Sequence, residues 1–220
     1  MKIRLYTGTP RYIGDDGQFS AIWKQPAEGP LRITKEGLVG DVQADRRVHG
    51  GPEKAVHHYA GENYAKLAAR FPQIADALVV GSIGENISTV GLDESTVCIG
   101  DTYRLGSAVV QVSQPRRPCW KIDARYGISG ITAFIVDSGH TGWYYRVLEE
   151  GEAAAGDDFA LIERPAGAVP LATLWTTWHR HRPDAERLRA IAHAPGLTPA
   201  WTRRIDERLA WLAANPAERA

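Results

Sequence analysis

The chain has 220 residues and a mass of about 24 kDa, with 44% hydrophobic and 24% charged residues, ordinary globular values that exclude a disordered or fibrous chain. Its 26 basic and 26 acidic residues cancel, which argues against a nucleic-acid binder that works by phosphate neutralisation. No apolar run approaches the roughly 20 residues needed to span a bilayer, Met1 to Thr7 carries no signal-peptide core, and two cysteines make no disulfide framework, so a reducing, cytoplasmic setting without a membrane partner is the simplest expectation.

In chain order, the first 164 residues read mostly as β. Ile3 and Leu5 alternate with Lys2 and Arg4, and Phe19, Ala21 and Trp23 alternate with Ser20 and Ile22. Tyr64, Leu67, Ala68 and Phe71 fall at helical spacing, with Pro72 as the stop. Ala108 to Val112 is a dense apolar run that predicts a strand crossing a barrel. Ile128, Ile131 and Ile135 mark a second short helix, and Trp143 to Leu148 and Phe159 to Ile162 predict further strands. Many short strands without βα alternation point to a closed or nearly closed barrel rather than a parallel sheet.

The Pro/Gly-bearing seam Arg164 to Ala168 reads as a domain boundary, giving a β domain over 1–164 and a helical domain over 165–220. The tail carries four of the seven tryptophans, and its eight basic residues are all arginine. Leu171, Leu174, Trp175 and Trp178 form one stripe. Pro183 suits the first turn of a second helix, with Leu188 and Ile191 inward. Thr198 and Pro199 cap a third helix, with Trp201, Ile205, Leu209 and Leu212 on its apolar side. Three helices this short are expected to pack together and onto the barrel.

Chemistry concentrates in Ser113-Gln114-Pro115-Arg116-Arg117-Pro118-Cys119-Trp120-Lys121. Nearby cations favour thiolate, which is both a nucleophile and a soft-metal ligand; the plain alternative is a small cysteine in a basic turn. A second segment, Arg46-Arg47-Val48-His49-Gly50-Gly51-Pro52, has paired glycines whose amides can form an anion nest beside two arginines and a histidine. It lacks the Gly-Lys-Ser/Thr ending of a Walker loop. Gly84-Glu85-Asn86-Ile87-Ser88-Thr89 reads by itself as turn chemistry. In Val56-His57-His58-Tyr59 the two histidines of a strand face opposite sides, so at most one faces a given pocket. Cys98 reads as a buried small residue. A zinc site from His49, His57 and Cys119 is geometrically possible, but no ligand spacing demands it.

Gly37-Leu38-Val39-Gly40-Asp41, Val48-His49-Gly50-Gly51-Pro52 with Ala55-Val56-His57-His58-Tyr59, Gly84-Glu85-Asn86-Ile87-Ser88-Thr89, and Gln111 to Lys121 resemble in residues and order the MOSC-domain family, and most nearly its YiiM-type branch of 6-N-hydroxylaminopurine-resistance proteins. The resemblance runs over nearly the whole chain, and the stretch around Trp201-Thr202-Arg203 resembles that branch's three-helix extension. It implies a β-barrel that holds the molybdenum cofactor (molybdopterin type), with Cys119 at the position of the molybdenum ligand and as the catalytic residue. The pterin phosphate would fall to Arg116, Arg117, Arg46 or Arg47 and the Gly50–Gly51 amides. His49, Glu85, Asn86, Ser113 and Gln114 complete the expected cofactor-binding set.

The expected function is therefore reduction of N-hydroxylated compounds, such as N-hydroxylated purine bases, to amines with loss of water. With no flavin, haem or iron–sulfur motif, electrons must come from a separate reductase. The rival is a non-catalytic carrier or binding module for molybdenum cofactor or metal–sulfur species. A nucleic-acid or partner-binding role for the arginine-rich tail ranks below both, because tryptophans at helical spacing are more often core than a stacking platform.

Overall fold

The computed structural model describes residues 1–14, 17–45 and 49–216. The chain opens with β1 (Arg4–Thr7), a hairpin of β2 (Arg11–Ile13) and β3 (Gln18–Ser20), then β4 (Gln25–Pro26), β5 (Leu31–Thr34) and β6 (Gly37–Leu38). A 3-10 turn at Pro52–Lys54 leads into β7 (Val56–His58), α1 (Asn63–Arg70), a second 3-10 turn at Pro72–Ala77, and β8 (Ile87–Ser88). The middle of the chain forms β9 (Thr102–Leu105), β10 (Ala108–Pro115), α2 (Lys121–Tyr126), α3 (Ile131–Ser138), β11 (Trp143–Glu149), β12 (Gly151–Ala153) and β13 (Phe159–Glu163). The tail forms α4 (Leu171–His179), α5 (Ala185–Ala192) and α6 (Pro199–Ala214).

Eight strands make one curled sheet in the order β13-β9-β10-β11-β7-β8-β1-β4. Its neighbours are antiparallel except β7 and β8, which run parallel through His58 and Ile87. The curl brings the start of the chain back to β13. Lys2 and Asp158 form an isolated bridge, the Phe159 amide donates to the Met1 carbonyl at 2.7 Å, and the Ile3 amide to the Asp157 carbonyl at 3.2 Å. The fold is thus mixed β with helices, built on a curled eight-stranded sheet.

The concave side is filled by Leu5, Val56, Ile87, Leu105, Val110, Val112, Trp143 and Tyr145, each close to fully buried. The same apolar cluster runs on into the tail through Leu174, Leu188, Trp201 and Ile205. A second cluster of Ile13, Ile22, Tyr64, Leu67, Ile83, Ile122 and Ile135 packs the hairpin and α1–α3 together.

Two local expectations change, and one helix is added. The alternation around Phe19 to Trp23 yields a strand only through Ser20. Lys24 donates its amide to the Ile22 carbonyl at 3.0 Å, a tight turn rather than a ladder. A further short helix, over residues 121–126, precedes the one expected around Ile131 and is stopped by Gly127 in the left-handed region at φ 67°. Pro183 lies outside the second tail helix, because the Asp184 carboxylate caps it by accepting from the Arg187 amide at 2.8 Å. Thr198 and Pro199 start the third helix as expected, with the Thr198 hydroxyl accepting from the Trp201 amide.

Candidate active site

The side-chain alternation of two adjacent strands creates the site. In β7 and β11, His57 pairs with Tyr144 and His58 with Trp143. His58 and Trp143 point to the filled interior, where the histidine ring stacks on the indole at 4.2 Å between centroids. His57 and Tyr144, one residue over, face the other side, with ring centroids 5.2 Å apart. There they line an open cleft together with His49, Asn86, Arg116 and Cys119. Lys24, Asp41, Lys54 and Lys121 line it as well.

Strand β10 delivers the thiol. Its register with β11 shifts between Val112 and Gln114, a bulge at Ser113. The Ser113 hydroxyl lies 2.6 Å from the Glu53 carbonyl and 3.0 Å from that of Tyr144, which ties this bulge to the turn carrying Lys54. The Arg116 amide then donates to the Gly142 carbonyl at 2.9 Å, and the Cys119 carbonyl accepts from the Thr132 hydroxyl at 3.1 Å. Cys119 is half-buried and free, whereas Cys98 is buried, and burial followed by the nearby Asp101 carboxylate pushes its thiol pKa up.

The loop from Gly81 to Asn86 sets the polar groups of the cleft floor. Glu85, fully buried, accepts from the Tyr64 hydroxyl and the Gly81 amide, both at 2.6 Å. The Tyr64 hydroxyl in turn accepts from the Ile83 amide at 3.1 Å. The loop's carbonyls thereby point outward: Ile83 accepts from Arg116 Nη2 at 3.2 Å, and Gly84 lies 3.1 Å from His57 Nδ1. Asn86 accepts from the His57 amide at 3.1 Å and donates to Asp41 at 2.8 Å. Asp41 also forms an ion pair with Lys24, both side chains being 6% exposed.

Among the described residues, two buried polar atoms at the cleft have no hydrogen-bond partner, Arg116 Nη1 and His57 Nε2. Burial, with the Arg116 charge second, holds the His57 pKa well below its ordinary value, so the ring is neutral. His49 is held down to about 4 by burial and then by Arg116, Lys121 and Lys54. Burial pushes the Glu85 carboxyl up against the opposing pull of its Tyr64 and Gly81 bonds. The cleft is thus a cationic concavity with one thiol at its wall.

Of the residues singled out in the sequence, His49, Asn86, Arg116 and Cys119 come together at the cleft. Glu85 lies beneath it and acts on it through the loop it holds. Ser113 is fully buried in the bulge, and Gln114 turns to the tail, where its Oε1 accepts from the Thr198 hydroxyl at 3.1 Å. Arg117 is exposed; its charge and that of Arg204 of α6, after burial, lower the Lys54 pKa. Gly50 and Gly51 are half-buried ahead of the Pro52 turn, and Gly51 adopts φ 90°. Arg46 and Arg47 lie outside the described residues. Among the described residues, no three His, Cys, Asp or Glu side chains cluster as a metal site, so the His49, His57 and Cys119 trio does not assemble into one.

Lys24 and Tyr144, which line the cleft, were not legible as site residues. Lys24 offered one signal, a lone lysine closing an apolar and aromatic stretch. Tyr144 lies between two fully buried aromatic residues, Trp143 and Tyr145, and reads with them as core.

The description "MOSC domain" matches residues 45–160. Protein YiiM of Escherichia coli (strain K12) is 38% identical over 206 residues, which span 94% of this chain and 91% of that protein. The crystal structure of YiiM from Escherichia coli superposes with a TM-score of 0.80 at 32% identity, covering 99% of this chain and 96% of that one. A protein of Gibberella moniliformis named "Reductase" is 40% identical over 66% of this chain, a match that occupies 26% of that longer protein. On this evidence the chain belongs to the MOSC-domain family, among relatives of YiiM.

Proposed function

We propose that this protein is a molybdenum-cofactor-dependent oxidoreductase that reduces N-hydroxylated compounds, including N-hydroxylated purine bases, to the corresponding amines. The observation that carries the reading is the cleft itself: a free, half-buried thiol in a lining where Lys24, Lys54, Arg116 and Lys121 outnumber the carboxylates Asp41 and Asp45, beside a buried guanidinium whose Nη1 has no partner among the described residues. The residues present fit the cofactor. A metal that brings its own dithiolene sulfurs needs one soft ligand from the protein, and Cys119 offers it. The cofactor's phosphate needs charge-assisted donors, and Arg116 and Lys121 stand in the cleft, with Lys54 and Arg117 toward its tail side.

Bound there, the cofactor would supply the two-electron reduction. The chain supplies the rest. Arg116 and its neighbours hold the anionic end, Lys24 and His57 present polar contacts to the substrate, and Ile22 and Ile83 give the cleft an apolar border. The relative named "Reductase" supports oxidoreductase chemistry, and the electrons would come from a separate reductase. Two unpaired cysteines suit a reducing, cytoplasmic setting.

The test is metal analysis and the absorbance spectrum of protein made in a cofactor-competent host, followed by turnover of 6-N-hydroxylaminopurine with a chemical reductant. The reading expects molybdenum near one per chain and formation of the aminopurine. Stoichiometric molybdenum without turnover would point instead to a carrier.

A further inference from the structure

We propose that His57 Nε2 is the hydrogen-bond acceptor that reads the hydroxyl of the substrate's N–OH group, so that His57 sets the preference for N-hydroxylated ligands over analogues lacking that proton. The inference rests on the reductase reading and names the residue by which the cleft recognises its substrate class.

The geometry fixes what the ring can offer. His57 is 5% exposed and lines the cleft from β7. Its Nδ1 lies 3.1 Å from the Gly84 carbonyl. A carbonyl only accepts, so Nδ1 carries the proton of the neutral ring and Nε2 presents a lone pair. That tautomer is enforced from below, because Gly84 belongs to the loop that Glu85 pins through Tyr64 and Gly81. Nε2 itself is buried with no partner among the described residues.

The surroundings narrow the ligand. Both Asp41 carboxylate oxygens are already engaged, by Lys24, the Gly8 amide and Asn86. The Asn86 oxygen accepts from the His57 amide. Arg116 Nη1 and the Lys24 ammonium are donors. A ligand in this cleft therefore needs an acceptor for the cations and a donor proton for His57. An N–OH group carries both on one oxygen. An N-oxide or an O-alkylated hydroxylamine offers only the acceptor there, and leaves Nε2 buried and unpaired, a recurring basis of discrimination against analogues without the proton.

Two substitutions separate the ring's functions. His57→Asn keeps a short side-chain donor for the Gly84 carbonyl but removes the acceptor at the Nε2 position; His57→Gln restores an acceptor at that reach. Holoprotein without electron donor is titrated calorimetrically with 6-N-hydroxylaminopurine and with its O-methyl ether, and molybdenum per chain and thermal unfolding are measured for each variant. We expect wild type to bind the hydroxylamino base more tightly than the ether, and His57→Asn to weaken the hydroxylamino base by roughly tenfold to a hundredfold while leaving the ether nearly unchanged. His57→Gln should recover most of the loss. An unchanged ratio in His57→Asn, weakening of both ligands alike, or no binding to wild type would overturn the proposal. So would a loss of molybdenum in His57→Asn that His57→Gln reverses, since the ring would then be reading the cofactor. Absence of turnover on adding reductant, with the affinity ratio behaving as expected, would remove the reductase reading and leave the recognition role of His57 standing.

Discussion

The Lys24 ammonium and the Asp41 carboxylate pair across the cleft floor, each side chain only 6% exposed, and Asp41 at the same time accepts from Asn86 Nδ2 and the Gly8 amide. One carboxylate thus joins the loop after β6, the start of the hairpin, and the β8 loop behind His57. Removing one partner leaves the other charge buried alone. Asp41→Asn is expected to destabilise the protein by about 3–5 kcal/mol. The double variant Lys24→Met/Asp41→Asn should recover part of that loss, because no charge is then stranded. Chemical denaturation of the three proteins checks this; equal losses in the single and double variants would mean that the carboxylate matters only as a hydrogen-bond acceptor.

His58 makes a pH prediction. The ring is fully buried, with Nδ1 3.0 Å from the Tyr145 hydroxyl and Nε2 3.0 Å from the Thr89 hydroxyl, and burial lowers its pKa to about 3. In the unfolded chain it titrates at about 6.5. Above that value both states are neutral and the group adds no pH dependence. As pH falls below it, only the unfolded chain binds the proton, so stability is lost at up to about 1.4 kcal/mol per pH unit until the folded ring titrates. Between pH 6 and 4, His58→Gln should unfold with a slope shallower by one proton. Parallel slopes would show that His58 does not remain neutral when folded.

The tail is packed as part of the same interior. Trp201 is fully buried, its ring centroid 5.6 Å from that of Trp178, and the Thr198 amide donates to the Ser113 carbonyl at 3.2 Å. Trp201→Ala is expected to cost about 3–5 kcal/mol and to lower one cooperative transition rather than split off an early one. Scanning calorimetry distinguishes the two. An early separate transition, with the main one unmoved, would make 165–220 a domain that folds on its own.

Much of the cleft could be read from local sequence, and the remainder depends on tertiary placement. The thiol and its arginines are contiguous, so their chemistry is visible in nine residues. The opposite facing of His57 and His58 follows from the period of a strand alone. Strand alternation around Phe19 to Trp23 misled, because Lys24 there is drawn down to a carboxylate 17 positions away rather than to a neighbouring strand. Glu85 and Asn86 look like turn residues because their partners, Tyr64 and Asp41, lie 21 and 45 positions off. Gln114 was grouped with the cofactor set, yet its partner is the threonine that caps α6, 84 positions later. Contacts at such separation leave no periodic trace, which is why the tail's approach to β10 was foreseen only as packing.

Arg116 holds the Ile83 carbonyl with one guanidinium nitrogen and leaves the other unsatisfied. Arg116→Ala should therefore reduce cofactor occupancy on the order of tenfold to a hundredfold at limiting cofactor, as loss of one or two charge-assisted bonds implies. Arg116→Lys should rescue it only in part, since an ammonium cannot serve both partners in the guanidinium's fork geometry. Molybdenum per chain across a cofactor titration measures this. Full occupancy in Arg116→Ala would place the anionic end elsewhere.

The most direct test of the central claim compares Cys119→Ser with Cys98→Ser, both made in a cofactor-competent host, by molybdenum K-edge absorption and by turnover of 6-N-hydroxylaminopurine. The account predicts one protein-derived sulfur on molybdenum in wild type and in Cys98→Ser, its loss in Cys119→Ser, and abolished turnover in that variant alone. Full turnover in Cys119→Ser with molybdenum bound would contradict it.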